Sequence, residues 1–263
     1  MTPRALPPAR ARALAEEVPV ALSFDGTTQA VMMASPADLE DFGIGFANAE
    51  GIARDSIRDL EVVAHPKGLE VQMWLAPGAG ADLAERRRKM AGPVGCGLCG
   101  IDSLEEALRA PAPVQSPARI DPAHIPRAVA ALRDGQKLHD ETRAAHGAGL
   151  WHPARGLIAL REDVGRHNAL DKLIGAALRA GLPHADCAIV MTSRVSVELV
   201  QKTAQAGVPI LIAVSAPTAL AVRTAAEAGV TLITNARGGD FELRSHGHRI
   251  QPGAKAEDTT HVA

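Results

Sequence analysis

The chain has 263 residues, 46% of them hydrophobic and 22% charged, an ordinary globular balance that fits one large domain or two modest ones. A formal net charge of -2, only 2% aromatic residues and no tyrosine exclude a basic field for nucleic acid and the stacking rings of a single-strand reader. No apolar run approaches the ~20 residues of a membrane helix, and three cysteines are too few for a secreted disulfide framework.

Met1 to Ala15 alternates Arg, Ala and Pro without an apolar core, so residues 1–15 read as a flexible terminus and not as a secretory signal. The expected setting is the cytoplasm, with reduced thiols and neither a nucleic-acid nor a membrane partner. Residues 16–110 read as a smaller α+β domain. Asp25-Gly26 between two β-type runs, within Ala21 to Met33, is a hairpin signal. Ser35-Pro36 supplies a helix cap and a first-turn proline. The helix that follows carries Leu39, Phe42, Phe46 and Ala49 at helical spacing and ends near Gly51. Leu69, Val71, Met73 and Leu75 alternate with polar residues as in a half-buried strand, whose partner is Leu60 to Ala64 across Pro66-Lys67-Gly68.

Arg86-Arg87-Arg88-Lys89 is either a solvated helix face or a docking surface for an acidic partner or phosphates. Next comes Gly92-Pro93-Val94-Gly95-Cys96-Gly97-Leu98-Cys99-Gly100, too rich in glycine for a helix or strand: a loop bearing two thiols. Pro111, Pro113, Pro117, Pro122 and Pro126 mark a linker, residues 111–126, that can pack as well as dangle.

Residues 127–250 change to regular alternation. Leu157 to Leu160, Cys187 to Met191, Val208 to Val214 and Val230 to Ile233 read as strands; His167 to Ala180, Val195 to Ala206 and Pro217 to Ala228 read as helices. Repeated strand and helix imply parallel crossover units with helices over the sheet. Residues 251–263 are a polar tail.

In an open parallel sheet, ligands bind outside the carboxyl ends of the strands. Three loops fall there: Thr192-Ser193-Arg194, Ser215-Ala216-Pro217-Thr218 and Thr234-Asn235-Ala236-Arg237-Gly238-Gly239. Hydroxyls, glycine amides, helix N-termini and two arginines are the materials of an anion or nucleotide site; the plainer reading is that Ser and Thr only cap helices. Glu162 to Lys172, with Asp163, Arg166, His167, Asp171 and Lys172, is dense in charge at a strand-to-helix junction. Taken singly, His167 is more often a structural hydrogen-bonder than a catalyst.

The C-x-x-C pair leaves three readings open. As half of a zinc site it lacks a second pair, although His146, His152 or His167 could complete it. As a thioredoxin-like pair it belongs at a helix start, not in a glycine loop. As a sulfur carrier it needs an exposed thiolate on a pliant chain, which Gly95, Gly97 and Gly100 supply. Cys187, inside an apolar run, reads as core.

Several strings, in order, carry a resemblance: Val18-Pro19-Val20-Ala21-Leu22, Glu50-Gly51-Ile52, Cys96-Gly97-Leu98-Cys99-Gly100, Glu162-Asp163-Val164-Gly165-Arg166-His167-Asn168-Ala169-Leu170-Asp171-Lys172, Ser193-Arg194-Val195-Ser196-Val197-Glu198 and Ser215-Ala216-Pro217-Thr218. From about residue 16 to 250 the chain resembles the FdhD family, sulfurtransferases needed for formate dehydrogenase activity. The resemblance implies an α/β fold whose C-terminal domain is cytidine deaminase-like, a smaller N-terminal domain carrying the cysteine loop, and a homodimer. It implies sulfur taken from a cysteine desulfurase as a persulfide on the Cys96-Gly97-Leu98-Cys99-Gly100 loop and passed to molybdenum in bis(molybdopterin guanine dinucleotide), the cofactor of formate dehydrogenase; Cys96 is the expected bearer, with Cys99 as helper or resolving thiol. The cofactor is bound as cargo, with GDP as a fragment mimic and no structural metal. Its expected contacts are Thr234, Asn235, Ala236, Arg237, Gly238 and Gly239, with Ser193, Arg194, Ser215, Thr218, Arg166 and His167.

Two departures bear on the pocket. The family's S-G-R-x-S is Thr192-Ser193-Arg194-Val195-Ser196 here, and T-G-G-x-H-x-A is replaced near Arg143-Ala144-Ala145-His146-Gly147-Ala148. The rival classes are a zinc-dependent deaminase and a non-catalytic cofactor chaperone. The deaminase wants H-x-E or C-x-E ahead of P-C-x-x-C, whereas Pro93 is too far from Cys96 and no such triplet precedes it. The chaperone would work without either thiol.

Overall fold

The computed structural model describes residues 12–79 and 111–252. Strand β1 (Val18–Phe24) and β2 (Thr27–Ala34) form an antiparallel hairpin. Its turn residues Asp25 and Gly26 both have positive φ, 48° and 75°, as the tight turn between twisted strands requires. Helix α1 (Leu39–Ala49) follows, then the hairpin of β3 (Ile57–His65) and β4 (Gly68–Leu75). β4 pairs parallel to β1, giving the order β2-β1-β4-β3. Leu22, Phe24, Val71 and Met73 alternate inward and bury Phe42 and Phe46 of α1.

Helix α1 starts three residues later than Ser35-Pro36 suggests, with Asp38 as the flanking residue at φ 54° and no side-chain cap. Ser35 is used elsewhere, because its N–H, carbonyl and hydroxyl all bond to the other half of the molecule.

The second half contains α2 (His124–Gly135), α3 (Lys137–Thr142), β5 (His146–His152), β6 (Gly156–Asp163), α4 (Arg166–Arg179), β7 (Ala188–Met191), α5 (Val197–Gln205), β8 (Ile210–Ala213), α6 (Ala219–Glu227), β9 (Thr231–Arg237) and β10 (Asp240–Leu243). They build a six-stranded sheet in the order β10-β9-β8-β7-β5-β6. Only β7, β8 and β9 are parallel; β5, β6 and β10 run antiparallel to their neighbours, so the expected parallel sheet is a mixed one. The crossover units end where β9 turns straight back into β10, and β5–β6 is a hairpin with no helix between. Val190 and Ile212 pack under Ile125 and Leu132 of α2 on one face. Met191 and Leu211 pack under Leu170, Leu173 and Leu199 on the other. Among the described residues no helix is long and apolar enough to cross a membrane.

Proline-rich residues 111–126 lie against this sheet. Val114 and Ile120 are buried, Val114 N–H donates to Ala228 O, and Ile120 bridges to Ile250. The buried Arg249 guanidinium donates to Gly229 O at 2.8 Å, closing the same seam. Cys187 is fully buried; its thiol donates to Pro183 O, and burial pushes its pKa up to about 11.

A close helix crossing and a buried ion pair are among the contacts that join the halves. Helices α1 and α4 cross with almost no space: a Cβ on Gly45 would stand 1.8 Å from Asp171 O, and one on Gly175 1.8 Å from Asp41 O. Beside the crossing, Lys172 Nζ and Asp163 Oδ2 pair at 2.6 Å, both side chains without solvent exposure. The ammonium also donates to Ser35 O at 2.9 Å and lies over the Phe42 ring. Asp163 Oδ2 accepts from Ser35 N, and Oδ1 from Gly165 N and Asn168 Nδ2. Removing one partner of so enclosed a pair strands the other charge away from water. Lys172→Met, close in volume, is expected to cost about 3–5 kcal/mol in urea unfolding. A loss under about 1 kcal/mol would show that the pair is dispensable.

Candidate functional site

The carboxyl ends of β7, β8 and β9 bring three turns side by side. Val214 N–H donates to Met191 O, Val195 N–H to Ala216 O, Thr218 N–H to Val195 O and Asn235 N–H to Ser215 O. β5 joins this edge, since Thr192 N–H donates to Gly147 O and Gly147 N–H to Thr192 Oγ1 at 2.9 Å. The turns are therefore laced to one another by main-chain bonds, which fixes the relative height of every side chain they carry.

The first turn of α4 approaches from the β6 side. His167 Nε2 stands 3.3 Å from Ser196 Oγ and 3.6 Å from Glu198 Oε2. Arg166, Arg194, Ser215 and Asn235 complete the rim; Arg194 is exposed and the other three are half-buried. Glu198 sits in the first turn of α5, where the helix dipole favours a carboxylate. Its Oε2 is buried and lies 3.6 Å from the His167 ring nitrogen. The His167 ring, helped by Ser196 and its own amide, holds the Glu198 carboxyl down to about 2 against the upward push of burial. His146, at the start of β5, has its pKa lowered by burial first and then by the positive Arg166.

The remaining expected contacts divide. Thr218 caps α6, accepting from Ala221 N at 3.1 Å. Ser193 is buried and donates to Arg194 O. Thr234 to Arg237 is not loop but the last part of β9, extended because β10 pairs with it, and only Gly238-Gly239 makes the turn. Thr234 and Ala236 are buried, Thr234 Oγ1 accepting from Arg244. Asn235 points instead to Glu242 and has φ 51°. Arg237, Gly238 and Gly239 lie farther along and wall a cleft of about 220 Å³ against Val129 and Arg133 of α2. Cys96, Cys99 and Arg86 to Lys89 lie outside the described residues. Among the described residues no group of three or more His, Cys, Asp or Glu is placed to hold a metal ion.

The dense segment Glu162 to Lys172 splits by function. Asp163, Asn168 and Lys172 face inward and pair; Asp171 is pushed up by burial but chelated by Lys202 at 2.6 and 2.7 Å. Glu162 accepts from the amides of Leu138 and His139, so it caps α3. Arg166 and His167 are left for the edge. Sequence reasoning gave Glu198 no role. Its signal was its place two residues beyond Ser196, at the start of the next helix.

The FdhD/NarQ family model matches residues 15–251. The chain belongs to that family. Among its relatives, the sulfur carrier protein FdhD of Agrobacterium fabrum is 54% identical over 242 residues, covering 91% of this chain and 89% of that protein. The sulfur carrier protein FdhD of Brucella abortus is 52% identical over 242 residues, with 91% and 90% covered. A crystal structure from Desulfotalea psychrophila, described as a formate dehydrogenase accessory protein, matches with a TM-score of 0.71 at 28% identity, covering 90% of each chain. The mixed two-sheet fold is thus the family's over nearly the whole length.

The depressed carboxyl fixes a pH dependence. Glu198 has a folded pKa of about 2, below its ordinary 4.5. Its stabilising contribution is therefore complete above about 4.5 and lost as pH falls toward 2. Glu198→Gln is expected to lower the urea midpoint at pH 6, with the gap to the parent narrowing through that window. A gap that stays constant with pH contradicts the assignment.

Proposed function

We propose that this chain is a sulfur carrier that takes a sulfur atom onto Cys96 and delivers it to the molybdenum cofactor of a formate dehydrogenase. The observation that carries the proposal is its identity, about half over nine-tenths of the chain, with proteins named sulfur carrier protein FdhD, in a sequence that holds the Cys96–Cys99 pair. The laced edge with Arg166 and Arg194 supports the second half of the reading. Two guanidinium groups and two helix N-termini suit a phosphorylated cargo such as a guanine dinucleotide.

In the proposed sequence the Cys96 thiolate attacks the outer sulfur of a persulfide on a cysteine desulfurase. A sulfur–sulfur bond forms, the donor's bond breaks, and the donor cysteine leaves as thiolate. Attack of Cys99 on the inner sulfur of the Cys96 persulfide then frees the outer atom as hydrosulfide for the molybdenum. The two electrons come from the thiol pair, which is left as a disulfide for a cellular dithiol to reduce. Arg166 and Arg194 hold the cargo's phosphates while this occurs.

Incubation with a cysteine desulfurase and cysteine, followed by intact-protein mass measurement, is expected to show one added sulfur on the parent chain. The Cys96→Ser, Cys99→Ser double variant should show none; equal loading would remove the carrier role. If the double variant still restored formate dehydrogenase activity in cells, a chaperone that only holds the cofactor would replace this reading. Calorimetry with GDP tests the cargo site separately: Arg194→Ala should weaken binding about tenfold, the loss of one charge-assisted contact.

A further inference from the structure

The Glu162–Lys172 segment holds more polar groups than the cargo edge uses, and the unused ones converge on a single carboxylate. Asp163 is the last residue of β6 and has no solvent exposure. Its Oδ1 accepts from Gly165 N at 2.7 Å and from Asn168 Nδ2 at 3.0 Å. Gly165 is the residue that opens α4, so this bond fixes where the helix begins. Asn168 also donates to Met33 O at 2.8 Å, and Ser35 Oγ accepts from Val164 N at 3.2 Å. The loop between β6 and α4 is thereby tied to the end of β2, in the other sheet. Gly165 is needed for closeness, since a Cβ there would meet Asn168 Nδ2 at 2.8 Å.

Arg166 and His167 occupy the first two positions of the helix whose start is held this way. His167 reaches the opening of α5, at Ser196 and Glu198. Of the first-turn residues of α4, only Ala169 belongs to the apolar core, and it is small. Leu170 and Leu173 fix the helix against the sheet, but they are one turn and more away.

We infer that Asp163 and Asn168 are positioning residues: by clamping the start of α4 to the end of β2, they set Arg166 and His167 against the β7–α5 turn for cargo binding. The inference rests on the cargo-edge reading above. It also gives a physical reason for a tie between sheets at this point. The clamp joins the end of β2, in the four-stranded sheet, to the β6–α4 turn of the six-stranded one.

The test uses the full chain with Asn168→Ala and, as a milder variant that keeps the Asp163–Lys172 pair and all of Asn168, Ser35→Ala. Two quantities are read on folded protein: the carbon shift of the Glu198 carboxyl from pH 6 down to 3.5, and GDP affinity by calorimetry. In the parent chain the Glu198 signal should stay that of a carboxylate through this range. With Asn168→Ala it should begin to titrate, because His167 has moved, and GDP should bind about tenfold more weakly; Ser35→Ala should shift both in the same direction by less. If Asn168→Ala does not fold, Ser35→Ala decides alone. An unchanged Glu198 signal in the folded variants overturns the inference, as does a changed signal with unchanged GDP affinity. A parent chain that binds no GDP defeats the cargo-edge reading instead, and the Glu198 signal still judges the clamp.

Discussion

The buried Asp163–Lys172 pair is the constraint on which the rest of the architecture depends. A charge pair without water contributes little net stability over a well-packed apolar substitute, because the desolvation of both ions offsets their attraction. What it supplies is uniqueness. Asp163 accepts four hydrogen bonds from three elements, and Lys172 returns one to Ser35 O. Only one docking of the small sheet onto the large one satisfies all of them, and every alternative strands a charge in the interior. Shape enforces the same choice nearby. At Gly45 and Gly175 the two helix backbones touch, so neither helix can slide by a turn without collision. Asp41, nearly buried, takes both Arg161 and Arg179 at the far end of this crossing.

The same rigidity reaches the edge formed by the β5, β7, β8 and β9 ends. Its accuracy comes from main-chain bonds between turns and from a helix start pinned by a buried carboxylate. Polar groups held in place before a ligand arrives need little reordering, so more of their attraction is realised as affinity. The dipoles of α5 and α6 open onto the same edge, and Glu198 offsets part of that positive field beside His167.

Much of this was legible in the sequence, and the failures have physical causes. The Asp25-Gly26 hairpin, the apolar face of α1 though not its start, the β3–β4 hairpin and the strand-helix succession after Leu157 follow from period and turn chemistry. β5 was not legible, because its residues include Gly147 and Gly149, which read as loop. They are glycine because Gln136 and Leu157 lie where their Cβ atoms would be. Helix α2 has Ile125, Ala128 and Leu132 at helical spacing, but it opens among prolines that mark a linker. β10 is mostly exposed, and its alternation of Phe241 and Leu243 with Asp240 and Glu242 is too short to announce a strand. At the site, the motif string located the edge, yet no spacing rule tells an inward Asp163 from an outward Arg166. That distinction depends on Ser35, 128 residues away from Asp163.

Cys187 carries a consequence for any protein whose work is the passage of sulfane sulfur. With a pKa of about 11, only roughly one molecule in ten thousand would hold it as thiolate at neutral pH. Its proton is directed at Pro183 O and no solvent reaches it. Under the proposed carrier role, sulfur held on Cys96 would find no reactive thiol at Cys187. The large sheet can keep a cysteine as filling because its surroundings withhold the one ionisation that would make it a competitor.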